Sequence, residues 1–253
     1  MGKRRIDRIN EINYNNKGIE MKIIQYDNCD NIIVEFQDEY KAKVHTGYYH
    51  FKHGNVTNPY HRNVCDVGFI GKGQYSYKTH KEIYNIWKHM LERCYNPYYI
   101  NDNLTYKDCF VCEEWHNFQI FARWYEDNYY EIKGEKMCLD KDILYKGNKI
   151  YSPNNCVIVP NRINVLFVKS DKSRGDYPIG CSYSKEKDKI EVHCQRCSKK
   201  RKFLGYYNTI DEAFNSYKNF KESYIKQVAD EYKDLIPQKL YEAMYNYEVE
   251  IND

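Results

Sequence analysis

Short β-branched runs open the chain. MKIIQY (21–26) and NIIVEFQ (31–37) are parted by an Asp-Asn-Cys-Asp turn, and VHTGYYHF (44–51) extends the pattern as a third strand. Glycines 68, 71 and 73 punctuate VGFIGKGQY like the bends of a small curled sheet. The period then changes. Ile83, Trp87, Met90, Leu91 and Cys94 recur at helical spacing, with a stop at Asn96-Pro97, and Trp115, Phe118, Phe121, Ala122 and Tyr125 mark a second helix. Both aromatic stripes read as core. A strand from Met137 to Leu144, a turn at Lys146-Gly147-Asn148, a strand from Tyr151 to Val159 and a helix from Pro160 follow. After the hydrophilic stretch KSDKSRGDYP come strand-like runs at 179–184, 189–196 and 200–207, joined by turns short enough for hairpins. A long amphipathic helix begins after Thr209, with Glu212 completing a capping box, and a last helix runs from Pro237 to near Tyr247. The fold class is therefore α+β. The expected parts are a small β-rich domain (1–79), a strand–turn–strand–helix domain with packing helices (80–170), and a three-stranded sheet with C-terminal helices (171–253).

A chain of 253 residues, 42% apolar and 30% charged, can support more than one core. It has no run of about 18 apolar residues to span a membrane, and the basic start MGKRRIDRIN leads into no apolar stretch of a secretory signal. Ten cysteines without such a signal read as reduced thiols or metal ligands, which places the protein in the cytoplasm. A net charge of +3 decides little, but its distribution is uneven. Asp171 to Gly205 holds ten Lys/Arg against five Asp/Glu, whereas Tyr206 to Asp253 holds five Lys against ten Asp/Glu. A basic block beside an acidic one reads as a binding face backed by a solvated helix. Twenty-eight tyrosines, and lysines in excess of arginines, lean toward the AT-rich codons of a low-GC bacterium or its phage.

LDKDILYKGNKIYSPNNCVIVPNRINVLF (139–167) carries the candidate chemistry. A strand, a turn, a second strand and a helix within about 30 residues can bring two ligands onto one divalent cation, which stabilises charge on a scissile phosphate. Asp140 is the candidate strand ligand and Asn164 the helix ligand, with Asn161 as the lesser choice. Oxygen donors of this kind suit Mg²⁺ or Mn²⁺. Asp142 is either a second ligand or a turn-side carboxylate. Asn155 is placed to hydrogen-bond across the turn and fix its shape.

Residues 84–167 resemble the HNH-type, homing-like endonucleases common in phage genomes. The resemblance lies in Trp87, Met90, Arg93, Cys94 and Tyr95 of the first helix, and in Val111 to Trp115 of VCEEW. It continues in Leu139-Asp140, in Tyr151, Pro153, Asn155 and Cys156, and in Asn164. It implies a metal-dependent DNA endonuclease with its cation at Asp140 and Asn164. Lys141 departs from it, because such enzymes place a general-base histidine there. An ammonium with an ordinary pKa of about 10.4 is protonated at pH 7 and accepts no proton unless burial lowers that value strongly, though it can stabilise a phosphorane-like transition state. Water activation then falls to the metal itself, to a lysine of lowered pKa, or to His116, the nearest histidine in sequence and a further catalytic candidate.

Cys109-Phe-Val-Cys112 has metal-knuckle spacing, and with Cys138 and Cys156 it forms a candidate set of four zinc thiolates. Only one pair is a CxxC, so ordinary thiols are the preferred reading. The same holds for Cys194 and Cys197.

Residues 177–233 resemble the Apetala-type (ethylene-response-factor) DNA-binding domain, through Ile179-Gly180, Ser182-Tyr183, Phe203-Leu204-Gly205 and the Thr209, Glu212, Ala213, Tyr217 pattern. That family lays a three-stranded sheet in the major groove. Lys185, Lys187, Lys189, Arg196, Lys199, Lys200, Arg201 and Lys202 fall on the strands and turns and are the candidate DNA contacts. Lysine is a point charge rather than a bidentate fork, which favours backbone grip over base readout.

The expected function is duplex DNA binding with metal-dependent cleavage, encoded by a phage or prophage. The rivals are a catalytically inactive DNA binder, with a host protein as a further partner, and an RNA-binding module that stacks bases on its tyrosines.

Overall fold

A computed structural model describes residues 7–168, 176–196 and 201–253. Two compact units result: one holds the chain up to Lys107 together with Val111–Arg123, the other Asp108–Phe110 with Trp124–Asp253.

In the first unit, β1 (Ile12–Tyr14), β2 (Glu20–Asn28), β3 (Asn31–Phe36) and β4 (Lys43–Thr46) form an antiparallel sheet in sequence order. Alternation puts Met21, Ile23, Ile32, Val34 and Phe36 on one face, where they are buried with Ala42, Phe51 and Val56. The expected strand over 44–51 is corrected: it ends at Thr46, and α1 (Tyr48–Lys52) follows. Burial of Phe51 in the sheet core overrides the β propensity of Tyr-Tyr-His-Phe. Residues 64–75 do not curl into a sheet either. They make only isolated bridges, Val64 with Gly68 and Phe69 with Asn117, and Gly68 lies flat against Trp87 and Leu91.

α2 (Lys81–Tyr95) buries Trp87, Met90, Leu91 and Cys94, and Trp87 Nε1 donates to Trp115 O at 2.7 Å. Asn96 ends α2 and caps α3 (Pro97–Asp102), its Oδ1 accepting from Tyr98 N at 3.0 Å. The helix expected from Trp115 is a 3-10 turn at Glu113–His116 followed by α4 (Phe118–Asn128).

In the second unit, Phe110 of β5 (Phe110–Val111) donates its N–H to Lys149 O at 2.9 Å. β6 (Met137–Asp140) is shorter than expected, because the Asp140 carboxylate captures the N–H groups of Asp142 and Ile143 and turns the chain. The expected second strand divides into β7 (Ile150–Tyr151) and β8 (Val157–Pro160), separated by a turn in which Ser152 O accepts from Asn155 and Cys156. β6 pairs antiparallel with β8, Met137 opposite Pro160 and Asp140 opposite Val157. Pro160 is the cap rather than the first helical residue of α5, a single turn at Asn161–Asn164.

β9 (Cys181–Ser184), β10 (Lys189–Gln195) and β11 (Arg201–Tyr207) form an antiparallel sheet with β10 central. α6 (Ile210–Tyr232) starts at the capping box of Thr209 and Glu212, and α7 (Gln238–Tyr245) follows Pro237. α6 serves two cores. Its first half buries Ala213, Phe214 and Tyr217 with Ile190, Val192 and Cys194 of the sheet. Its second half buries Ile225, Val228, Ala229 and Tyr232 with Ile143, Val157, Val159, Ile163 and Leu166, and with Leu240 and Met244 of α7. Each large side chain so buried contributes about 1.5–3 kcal/mol before entropy is counted. Among the described residues, no helix is long and apolar enough to cross a membrane.

Candidate functional site

Asp140 closes β6, and its Oδ1 accepts from Asp142 N and Ile143 N, each at 2.7 Å. Among the described residues its Oδ2 has no hydrogen bond, which leaves one carboxylate oxygen for another partner. Burial pushes the Asp140 carboxyl above its ordinary value. The Ile143 N–H pulls the other way, the Asp142 charge adds to the rise, and Lys141 counters it weakly. A cation on Oδ2 would relieve that penalty.

Lys141 is only 5% exposed. Its Nζ donates to Asp142 Oδ1 at 2.5 Å and to Asn148 O at 2.8 Å, so the ammonium staples the two ends of the loop. Asn148 is the hub of that loop. Its Nδ2 donates to Lys141 O and Ile150 O, each at 2.8 Å, and its Oδ1 accepts from Asn155 Nδ2 at 3.0 Å. Asn155 thus bonds across the loop. Sequence pattern marks Asn148 only as one residue of a turn, although its place after Gly147 and seven residues before Asn155 carries the signal.

Asn164 ends α5, half-buried, and its side chain makes no hydrogen bond among the described residues. α5 starts beside Met137, at the end of the strand pair away from Asp140, since Asn161 N donates to Lys136 O at 2.7 Å. Its Ile163 is buried in one cluster with Val157, the partner of Asp140, and with Ile143. An Asp140 carboxylate oxygen in β6 and the Asn164 amide in α5 are each without a hydrogen bond among the described residues. These hard donors fit Mg²⁺ or Mn²⁺. Asn161 is exposed, and its Oδ1 accepts from Cys138 Sγ at 3.7 Å.

His116 belongs to the first unit, where its Nε2 lies 3.4 Å from Tyr95 Oη. Burial lowers its pKa below the ordinary value, and Arg62 acts in the same direction. The ring is therefore neutral near pH 7.

Burial raises the thiol pKa of both Cys109 and Cys112, which favours the protonated form over a metal-binding thiolate. Among the described residues, no three His, Cys, Asp or Glu stand together as a metal-ligating group. Elemental analysis of the purified protein is expected to find well under one zinc per chain. Stoichiometric zinc, absent from Cys109→Ser, would restore the four-thiolate centre with Cys112, Cys138 and Cys156.

The three-stranded sheet has one face against α6 and one open face. Register assigns each cation. Lys189 pairs with Ser184 and Arg201 with Gln195 on the open face, while Lys202 pairs with the buried Cys194 and so lies on the helix side. Lys185 and Lys187 stand exposed in the β9–β10 turn, with Lys187 Nζ 2.9 Å from Glu186. Arg196 follows β10 and is half-buried. Lys199 and Lys200, like Cys197 and most of the KSDKSRGDYP stretch, lie outside the described residues.

The open face also carries three rings. His193 and Phe203 have centroids 5.3 Å apart, and Phe203 and Tyr206 have theirs 5.0 Å apart. Charge and spacing in the sequence do not single them out, although a glycine within Phe-Leu-Gly-Tyr-Tyr is the mark of a bulge. Comparisons of the chain with protein-family models, curated proteins and solved structures gave no match.

Proposed function

We propose that this chain is a DNA-binding endonuclease of the HNH type, in which the second unit both holds nucleic acid and carries the cleaving site. The observation that supports the reading is the strand–loop–strand–helix group whose first strand ends in Asp140. A desolvated carboxylate keeps one oxygen uncommitted there, in a loop braced by Lys141, Asn148 and Asn155. Asp140 and Asn164 would hold Mg²⁺ or Mn²⁺, and that ion would supply charge stabilisation at a phosphate and an acidified water. The chain's own contribution is position. Two backbone N–H groups fix the Asp140 carboxylate, and the Lys141 ammonium fixes the loop.

One observation favours a second reading, a DNA binder that does not cut. The Lys141 ammonium is committed to Asp142 and Asn148, and no histidine stands in its place. Losing a general base costs about 100- to 10,000-fold in rate, so cleavage is expected to be slow. The deciding experiment incubates excess full-length protein with duplex DNA and Mg²⁺ or Mn²⁺. Tight binding without any cut would leave the second reading.

Binding to duplex DNA is expected to weaken steeply with salt. Changing Lys185, Lys187, Lys189 and Arg201 to alanine in the full chain should flatten the slope of log K against log salt, by about 0.9 for each phosphate no longer neutralised. Gel shifts showing unchanged affinity would remove this sheet from the interface.

A further inference from the structure

β10 and β11 do not pair in simple alternation. Val192 pairs with Gly205 and His193 with Phe203, so Leu204 is an extra residue in β11, a β-bulge. The bulge changes which side chains share a face. Phe203 and Tyr206 are three residues apart and would point to opposite faces of a regular strand. With Leu204 inserted, Phe203 pairs with His193 and Tyr206 with Glu191, and both residues belong to the open face. Gly205 makes this turn of the strand possible at φ 142°, with Tyr207 crowding the position where a Cβ would stand.

The result is a row of chemistry across the face. Lys189 stands at one end, then Glu191 with Tyr206, then His193 with Phe203, and Arg201 with Gln195 at the other end. Lys189 and Gln195 stand six positions apart along β10, roughly 20 Å. Phe203 is 45% and Tyr206 41% exposed, although each touches another ring. Scattered exposed apolar side chains need no explanation, but rings gathered by a bulge on a face that the described residues leave open are a different matter.

Charge indicates what would cover them. The cations lie at the rim, whereas Glu191 sits in the middle, accepting from Ser182 Oγ at 3.2 Å and facing His193 Nε2 at 3.8 Å. A phosphate backbone running over the centre would meet that carboxylate. Bases at the centre, with phosphates at the rim, meet rings and a hydrogen-bond acceptor instead. Rings stack only on bases whose faces are free, and in an intact duplex those faces are covered by neighbouring base pairs.

We propose that the open face of the β9–β10–β11 sheet binds an unpaired segment of DNA, two bases stacking on Phe203 and Tyr206 while Lys189 and Arg201 take the flanking phosphates. This rests on the nucleic-acid reading above and refines it: the preferred ligand is a single strand or an opened stretch within a duplex.

The test measures fluorescence anisotropy of the full-length protein with a labelled single strand, the same sequence as a duplex, a duplex with a short bubble, and an RNA copy. The single strand and the bubble should bind more tightly than the closed duplex. The double variant Phe203→Leu/Tyr206→Leu keeps apolar bulk and removes the rings. It should weaken single-strand and bubble binding at least about tenfold while changing duplex binding less than about threefold. Thermal melting of the variant checks that the sheet is folded. Equal losses on all ligands, or a wild-type protein that prefers the closed duplex, would overturn the inference and leave duplex binding standing. Tighter binding of the RNA copy would overturn the choice of DNA. If no nucleic acid binds, this inference and the reading beneath it both fail.

Discussion

Asp140→Asn is expected to abolish metal-dependent cleavage and, without metal, to leave the protein at least as heat-stable as the wild type at pH 7. The substitution keeps an oxygen where Oδ1 accepts from Asp142 and Ile143, so the turn that ends β6 survives. It removes the charge that burial disfavours. Because the carboxyl pKa is raised in the folded state, the native protein binds this proton more tightly than the unfolded chain does. The stabilising effect of protonation is thus complete at low pH and is lost as pH rises from about 3.8 through the higher folded-state value. Above that higher value the wild type bears the full penalty, and the asparagine variant bears none at any pH. Mg²⁺ or Mn²⁺ should then raise the melting temperature of the wild type and not that of the variant, since a ligand of the native state stabilises it. A variant that cuts at the wild-type rate would remove Asp140 from the metal. One that melts several degrees lower would show the carboxylate to be structural, whatever its chemistry.

Legibility in the sequence follows the range of the interactions involved. α2 is readable because Trp87, Met90, Leu91 and Cys94 repeat at helical spacing and are all buried. The start of α6 is readable because Thr209 and Glu212 are a local signal, satisfied by each other's backbone. The alternation of Ile190, Val192 and Cys194 marks β10 in the same way. β1 escapes detection because three residues between polar neighbours leave no period to find. α1 reads wrongly as a strand because burial of Phe51 depends on strands far away in sequence. The candidate site divides along the same line. Asp140 and Asn155 stand out by residue type and spacing, whereas Asn148 shows in the sequence only as a turn residue beside Gly147, and its role comes from groups that Lys141, Ile150 and Asn155 bring to it. The assignment of lysines to faces depends on register, and register on the bulge at Leu204, so Lys202 cannot be separated from Arg201 by sequence alone.

Gly180→Ala is expected to destabilise the second unit by about 2–5 kcal/mol and to take nucleic-acid binding with it. Gly180 holds φ at 78°, just before β9, and its carbonyl accepts from His193 N at 2.8 Å. A side chain in that left-handed conformation costs about 1–2 kcal/mol by itself. The methyl would also overlap the Tyr217 ring at Cδ2 and stand 2.8 Å from His193 O. Tyr217 is buried in the core between α6 and the sheet and has no room to swing away, and the carbonyl belongs to the central strand. Relief of the clash must therefore move β9 or β10 and disturb the face on which His193 and Phe203 pair. Gly134→Ala supplies the control, because Gly134 has φ 82° and nothing within 4 Å of its added Cβ. Urea unfolding should register only the backbone cost there, about 1–2 kcal/mol, and anisotropy should find nucleic-acid binding unchanged. Equal losses at the two glycines would mean that the space around Gly180 does not decide its cost. If alanine were tolerated at 180 with binding intact, β9 would not be held against α6 through this close approach, and the open face would not depend on it.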